Sequence, residues 1–190
     1  MELEIRKLAP GMTDDYLDFF ENRAFSDNPG WDDCYCCFYH FRGKDWDNRT
    51  ASQNREDVIG RIETGGMHGF LAYADGKAVG WCHADDISSM ERLASRAKKS
   101  GAVKTGAIVC FLIAPEYRRR GIAKALLQQT VADFKANGYA CIEAYPRLRG
   151  KTDAENYHGP LDMYLSSGFE KISENRNFAT VRLDLQRDND

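Results

Sequence analysis

The sequence predicts one α/β domain spanning residues 1–190, built on a mixed β-sheet, and three observations carry that prediction. Two apolar-rich runs meet at Asp75-Gly76, a dipeptide that favours the tight turn of a hairpin. An apolar run at 106–115, an amphipathic stretch at 121–138 and a second apolar run at 139–146 read as β-α-β, which requires a parallel strand pair. No repeat, low-complexity tract or linker interrupts the 190 residues, a length that suits a single core.

Taken in order, "LEIRKL" alternates and reads as a first strand. Thr13 is placed to cap the helix "DDYLDFFENRAF", whose apolar positions are Tyr16, Leu17, Phe20 and Phe25. Residues 26–48 are aromatic, cysteine-rich and full of turn formers, so a long loop with some helix is expected. "NREDVIGRIETGG" reads as a short helix closed by Gly65 and Gly66, and "HGFLAYADGKAVGWCHADD" as the hairpin. "SSMERLASRAKKSG" offers Ser88 and Glu91 as a capping box and Gly101 as a stop, which predicts a surface helix inserted between two strands. "GAIVCFLIAP" is a buried strand ended by Pro115. "GIAKALLQQTVADFKANG" is the clearest helix, with Ile122, Leu126, Leu127, Val131 and Phe134 near one face. After the strand "YACIEAYP" and the polar loop 147–159 come a short helix, "PLDMYLSSG", and the strands "FEKISE" and "FATVRLDL".

The composition narrows the function. Lys plus Arg is 26 against 29 for Asp plus Glu, a net charge of −3, which argues against a nucleic-acid partner. The apolar stretch 107–115 is too short to span a bilayer, and "MELEIRKLAP" has no basic or apolar leader pattern, so no membrane and a cytoplasmic setting are expected. Cys82, Cys110 and Cys141 sit inside strand-like runs, where a reduced thiol is a small core residue.

Against that acidic balance, Arg118-Arg119-Arg120-Gly121 concentrates positive charge between a strand and a helix. A helix amino terminus presents unpaired N–H groups and a partial positive charge. Gly121 admits a phosphate close to the backbone, Ala123 keeps the first turn slim, and the arginines add charge-assisted bonds. Neither GxGxxG nor GxxxxGK(S/T) is present, so the phosphate is held in another arrangement.

Arg118 to Ala123 match the pattern (Q/R)-x-x-G-x-(G/A), and Tyr164-Leu165-Ser166-Ser167-Gly168-Phe169 match Y-x-x-x-G-F. In both segments, and in its element order, the chain resembles the GNAT superfamily of N-acetyltransferases; residues 26–57 and 88–100 are its least typical parts. The resemblance implies a GNAT-like, mostly antiparallel sheet with a splayed parallel pair, acetyl-CoA as donor and an amine, of a small molecule or a peptide, as acceptor. It implies direct attack in a ternary complex, pantetheine along Phe111, Leu112 and Ile113, and diphosphate on Arg118, Arg119, Arg120, Gly121, Ile122, Ala123 and Lys124. It also implies Tyr164 as general acid and allows a homodimer.

An N–H near Leu112 is the expected partner for the thioester carbonyl. The general base does not follow from the resemblance, because the position where some members carry glutamate is Ala107. Glu143 is the first candidate, with His83 and Asp85 at the end of the hairpin as others. Cys34, Cys36, Cys37 and His40 lack a second cluster to complete a zinc site, so they are expected to form an aromatic-lined wall with no metal. The alternative to an enzyme is a non-catalytic module on the same fold that binds CoA or senses metal or redox state.

Overall fold

The computed structural model describes residues 2–100 and 103–186. Its strands are β1 (Leu3–Lys7), β2 (Gly69–Ala74), β3 (Lys77–Asp86), β4 (Thr105–Ile113), β5 (Cys141–Ala144), β6 (Glu170–Glu174) and β7 (Ala179–Asp184). Its helices are α1 (Thr13–Asn22), α2 (Gly43–Asp47), α3 (Ala51–Glu63), α4 (Ala94–Ser100), α5 (Ile122–Ala136) and α6 (Leu161–Leu165). The strands form one sheet in the order β1-β2-β3-β4-β5-β7-β6. Only β4 and β5 run parallel; the other neighbours are antiparallel, as the hairpin and the β-α-β pattern require. Asp75 and Gly76 both take left-handed backbone, with φ of 50° and 77°, the conformation that joins two twisted strands through two residues.

Two irregularities at the centre of the sheet make room for a site. The parallel pairing covers only Thr105–Ile108 against Cys141–Ala144. β4 continues along β3 to Ile113, while the chain beyond Ala144 turns away through Tyr145 and Pro146, so a gap opens beside the second half of β4. In addition, His83 pairs with Cys110 and Ala84 with Ile108, which leaves Val109 as a bulge residue. The extra residue resets the alternation, so Val109 and Cys110 lie on one face while Ile108, Phe111 and Ile113 pack on the other.

α5 covers the face to which Phe111 and Ile113 belong, burying Ile122, Leu126, Leu127 and Phe134; each such side chain contributes roughly 1.5–3 kcal/mol. Gly106 permits the approach, since a Cβ there would stand 2.8 Å from the Phe134 ring. α1, α3 and the 26–48 segment cover the opposite face around Trp81, which is fully buried and donates its Nε1–H to Cys36 Sγ (3.3 Å).

Several caps differ from expectation. Thr13 is the first helical residue of α1, not its cap, because its hydroxyl donates across to the Glu63 carboxylate. α1 ends at Asn22, and Phe25 packs on Phe20 from beyond it. α3 begins earlier than the sequence suggests, at Ala51, because Thr50 and Gln53 form a reciprocal capping box. The box expected from Ser88 and Glu91 does not form: the Asp86 carboxylate accepts from the Ser88 N–H (2.8 Å), two 3-10 turns follow, and α4 starts only at Ala94. Gly101, the expected stop, lies outside the described residues.

Candidate active site

The gap beside β4 opens into a groove of about 410 Å³. Its walls are the end of β4, the turn leading into α5, the 153–160 loop and, facing that loop, the 24–31 segment. Nine of the ten residues expected to hold the donor line it; Arg120 does not, and its guanidinium lies over the Tyr117 ring at 5.4 Å. Arg119 and Gly121 have left-handed backbone, with φ of 60° and 81°, which turns neighbouring N–H groups to one side as an anion nest does. The first intrahelical bond of α5 runs from the Ala125 N–H to the Gly121 carbonyl, so the amides of Ile122, Ala123 and Lys124 point out of the helix end. A Cβ at Gly121 would meet nothing within 4 Å, so the cradle is open where a phosphate would rest. The groove therefore fits a diphosphate.

The arginines are not free charges. Arg118 donates to Asp27 through Nη1 (2.5 Å) and Nη2 (3.1 Å), and through Nε to the Ile113 carbonyl (3.1 Å). Arg119 donates to Asp153 at 3.0 Å. Asp27 and Asp153 tie the turn to the two opposite walls, a feature no local spacing in the sequence announces. The guanidinium of Arg118 holds the Asp27 carboxyl below its usual range.

At the deep end of the groove, the Phe111 N–H donates to the Tyr157 carbonyl (2.5 Å), while the Ala114 N–H donates to the Val79 carbonyl on β3 (2.9 Å). By strand alternation the Leu112 N–H also faces β3, which corrects the expectation that it meets the thioester; the N–H groups of Phe111 and Ile113 face the gap. Tyr164 lines neither cavity: it is fully buried behind Phe111 and Gly159, with its ring against Phe169 (5.2 Å) and its hydroxyl donating to the His158 carbonyl at 2.8 Å. Burial pushes this phenol well above its ordinary value near 10.

A second cavity, of about 870 Å³, lies on the α1–α3 side of β4 and shares Phe25, Trp31, Leu112 and Tyr157 with the groove. Its floor includes Cys110 and His83, cross-strand partners whose side chains share this face. His83 is fully buried, and neither ring nitrogen has a hydrogen-bond partner. Burial, reinforced by the neighbouring His40, lowers it to about 3, so the ring is neutral at pH 7. The two imidazoles lie 5.3 Å apart. Asp85, two residues along β3, keeps Oδ2 unpartnered, and its Oδ1 meets half-exposed His68 Nδ1 at 3.0 Å.

Glu143 lies in neither cavity. Its carboxylate meets Arg182 (3.2 Å) and Arg96 (3.5 Å) and accepts from the Tyr145 hydroxyl (3.1 Å). Outside both cavities and committed to two guanidinium groups and a phenol, Glu143 does not face the site, so the geometry places His83 ahead of it.

The cysteine-rich segment forms a wall of the large cavity. Tyr35 and Cys36 are consecutive left-handed residues (φ 43° and 54°), held by the Tyr16 hydroxyl donating to the Tyr35 carbonyl (3.0 Å). This turn presents Cys34 and Cys36 to the cavity, while Cys37 points toward the Asn54 carbonyl (3.5 Å). Burial pushes the Cys34 thiol up to about 12 and Cys36 well above its usual value, so both remain protonated. Among the described residues no three His, Cys, Asp or Glu side chains are arranged to hold a metal ion, and no helix is long and apolar enough to cross a membrane.

Comparison with known proteins agrees with this architecture. An acetyltransferase from Listeria monocytogenes superposes with a TM-score of 0.64 at 13% identity, covering 97% of this chain and 95% of that one. A GNAT protein from Desulfovibrio desulfuricans gives 0.61 at 16% identity, covering 97% and 99%. PaiA N-acetyltransferase from Thermoplasma acidophilum, solved with coenzyme A, gives 0.58 at 14% identity over the same shares. These identities speak for the fold alone. No curated protein matches the chain. The profile of the acetyltransferase (GNAT) family matches residues 19–159, which contain the phosphate-type turn, the splayed strand and the floor of the large cavity; the chain belongs to that family, an acetyltransferase whose donor is acetyl-CoA.

Proposed function

We propose that the chain works as one catalytic domain that transfers acetyl from acetyl-CoA to an amine by direct attack, at the place where its two cavities meet. The observation that carries this reading is the shared boundary at Phe25, Trp31, Leu112 and Tyr157: a donor in the groove and an acceptor in the large cavity reach each other there without crossing the sheet. The donor supplies an activated acetyl carbon and a thiolate leaving group. Amides of α5 and the arginine turn hold its diphosphate, and the gap-facing N–H of Ile113 is placed to polarise a carbonyl, that of Phe111 being held by the Tyr157 carbonyl.

His83 stands in the acceptor wall as a neutral imidazole with neither ring nitrogen partnered, placed to accept a hydrogen bond from the amine N–H and orient it, while the proton that the amine sheds on bonding to carbon leaves to solvent through the open cavity. Tyr164 is the acid in this reading: its ring lies directly behind Gly159 and Phe111, which line the groove, and its hydroxyl must leave the His158 carbonyl to protonate the departing thiolate. A cytoplasmic setting is supported by six cysteines that all carry free thiols, a state suited to a reducing compartment.

Isothermal titration with acetyl-CoA, followed by a thiol-release assay with amines, tests the reading; absence of binding at high micromolar donor overturns it. Gly121→Asn tests the cradle. Asparagine tolerates left-handed backbone, so the melting temperature should hold, while its side chain occupies the phosphate position and weakens acetyl-CoA binding roughly tenfold to a hundredfold, about 1.4–2.7 kcal/mol. Tyr164→Phe should lower kcat by about 10²-fold with acetyl-CoA affinity nearly unchanged. An unaltered kcat would remove the acid role and leave Tyr164 as a packing residue.

A further inference from the structure

The large cavity is walled by rings drawn from separate parts of the chain: Phe20 of α1, Trp46 of α2, Trp31, Phe38 and Tyr39 of the 26–48 segment, and Tyr157 of the late loop. The rings brace one another edge to face. Phe38 meets Trp46 at 5.3 Å and 90°, Phe38 meets Tyr39 at 5.4 Å and 83°, and Trp31 meets Tyr157 at 5.9 Å and 71°. The Arg92 guanidinium backs Phe38 at 3.7 Å. These contacts make a preformed aromatic enclosure, and its volume of about 870 Å³ has room for a fused-ring ligand.

The charges are placed just as selectively. The carboxylates of the lining, Asp33 and Asp47, are both exposed. The floor offers His83 and the protonated Cys36, with no carboxylate to receive a buried ammonium. A second cation deep in the cavity would lose its hydration without gaining a partner, which disfavours polyamines. An anionic group finds little better. Arg49, the lining guanidinium, donates to Asn54 Oδ1 (2.6 Å) and the Gln53 carbonyl (2.9 Å) and stacks on Phe41 at 3.7 Å. What the cavity suits is a single amine on an aromatic, otherwise uncharged body.

Building on the acetyltransferase reading, we propose that the acceptor is an arylalkylamine, its ring seated among Trp31, Phe38 and Trp46 and its amine directed to the floor at Leu112 and His83. The amine loses its proton on entering this apolar space, and the ring faces favour the cationic form only near the mouth, where Asp33 and Asp47 attract it.

The test is a thiol-release comparison of tryptamine, phenethylamine, spermidine, lysine and an alanine-initiated peptide, alongside calorimetry with acetyl-CoA. The expected result is a kcat/KM for tryptamine at least tenfold above those for spermidine, lysine and the peptide. Trp46→Ala should raise the tryptamine KM more than tenfold while the acetyl-CoA Kd stays put, and Trp46→Phe should restore most of the loss. Preference for spermidine, lysine or the peptide overturns the proposal and leaves the acetyltransferase reading standing, as does a tryptamine KM indifferent to Trp46→Ala. Failure to bind acetyl-CoA removes both.

Discussion

Taking the protein from pH 7 to pH 5 is expected to destabilise the fold by about 6 kcal/mol, close to the whole stability of a typical domain. Three histidines are responsible. Burial lowers His40 to about 4, His83 to about 3 and His158 to about 4, whereas each has an ordinary value near 6.5 when the chain is unfolded. Below 6.5 the unfolded chain takes up protons that the folded chain refuses, so their stabilising contribution is full above that value and is lost as the pH falls toward the folded values. At pH 5 each contributes a loss of about 2 kcal/mol.

His68 works in the opposite sense. Its bond to Asp85 raises it, so its contribution is present below 6.5 and lost as the pH rises through its folded value; half exposed, it offsets little of the loss. Urea denaturation at the two pH values measures the difference. Replacing His40 or His158 with Gln should flatten the dependence, and an equal stability at both pH values would contradict the burial of these rings.

The second large effect is His83→Gln. The amide fits the same space but places its acceptor atom differently from an imidazole nitrogen, so the amine is misaligned and kcat with an amine acceptor should fall about 10²-fold. Acetyl-CoA affinity should be unchanged, because His83 lines the large cavity and not the groove. That split separates a role in orienting the amine from a packing defect, which would move melting temperature and donor affinity together. If the variant turns over at the native rate, His83 does not orient the amine.

How much of this was readable in advance depends on the range of the interaction involved. Asp75-Gly76 declares its turn because two left-handed residues are a local requirement, and the amphipathic run from Ile122 to Phe134 declares α5 because its buried face repeats within four residues. The motif residues 118–124 likewise form a contiguous strand-to-helix turn. The caps were harder. Ser88 and Glu91 have the right spacing, but Asp86 supplies a nearer acceptor, and Thr13 is drawn away by Glu63 fifty residues on.

The base shows the limit most clearly. Glu143 and His83 both sit on central strands, and nothing in their neighbours says which strand face borders the cavity. Arg96, Tyr145 and Arg182 claim Glu143, whereas the bulge at Val109 resets β4 so that Cys110 stands beside His83 on the face of the large cavity. Likewise, the aromatic residues of the 26–48 segment are plain in the sequence, but their enclosure needs Phe20, Tyr157 and the left-handed turn at Tyr35 and Cys36.

The sequence by itself determined the sheet-and-helix order, the open glycine turn at the head of α5 and the absence of a basic surplus, because each is set by chemistry within a few residues or by a sum over all of them. Only the tertiary structure decided which histidine lines the large cavity, which acids hold the arginines and how two cavities meet at Leu112. Those outcomes depend on strand register and on contacts between residues far apart in the chain, and register exists only once the sheet has formed.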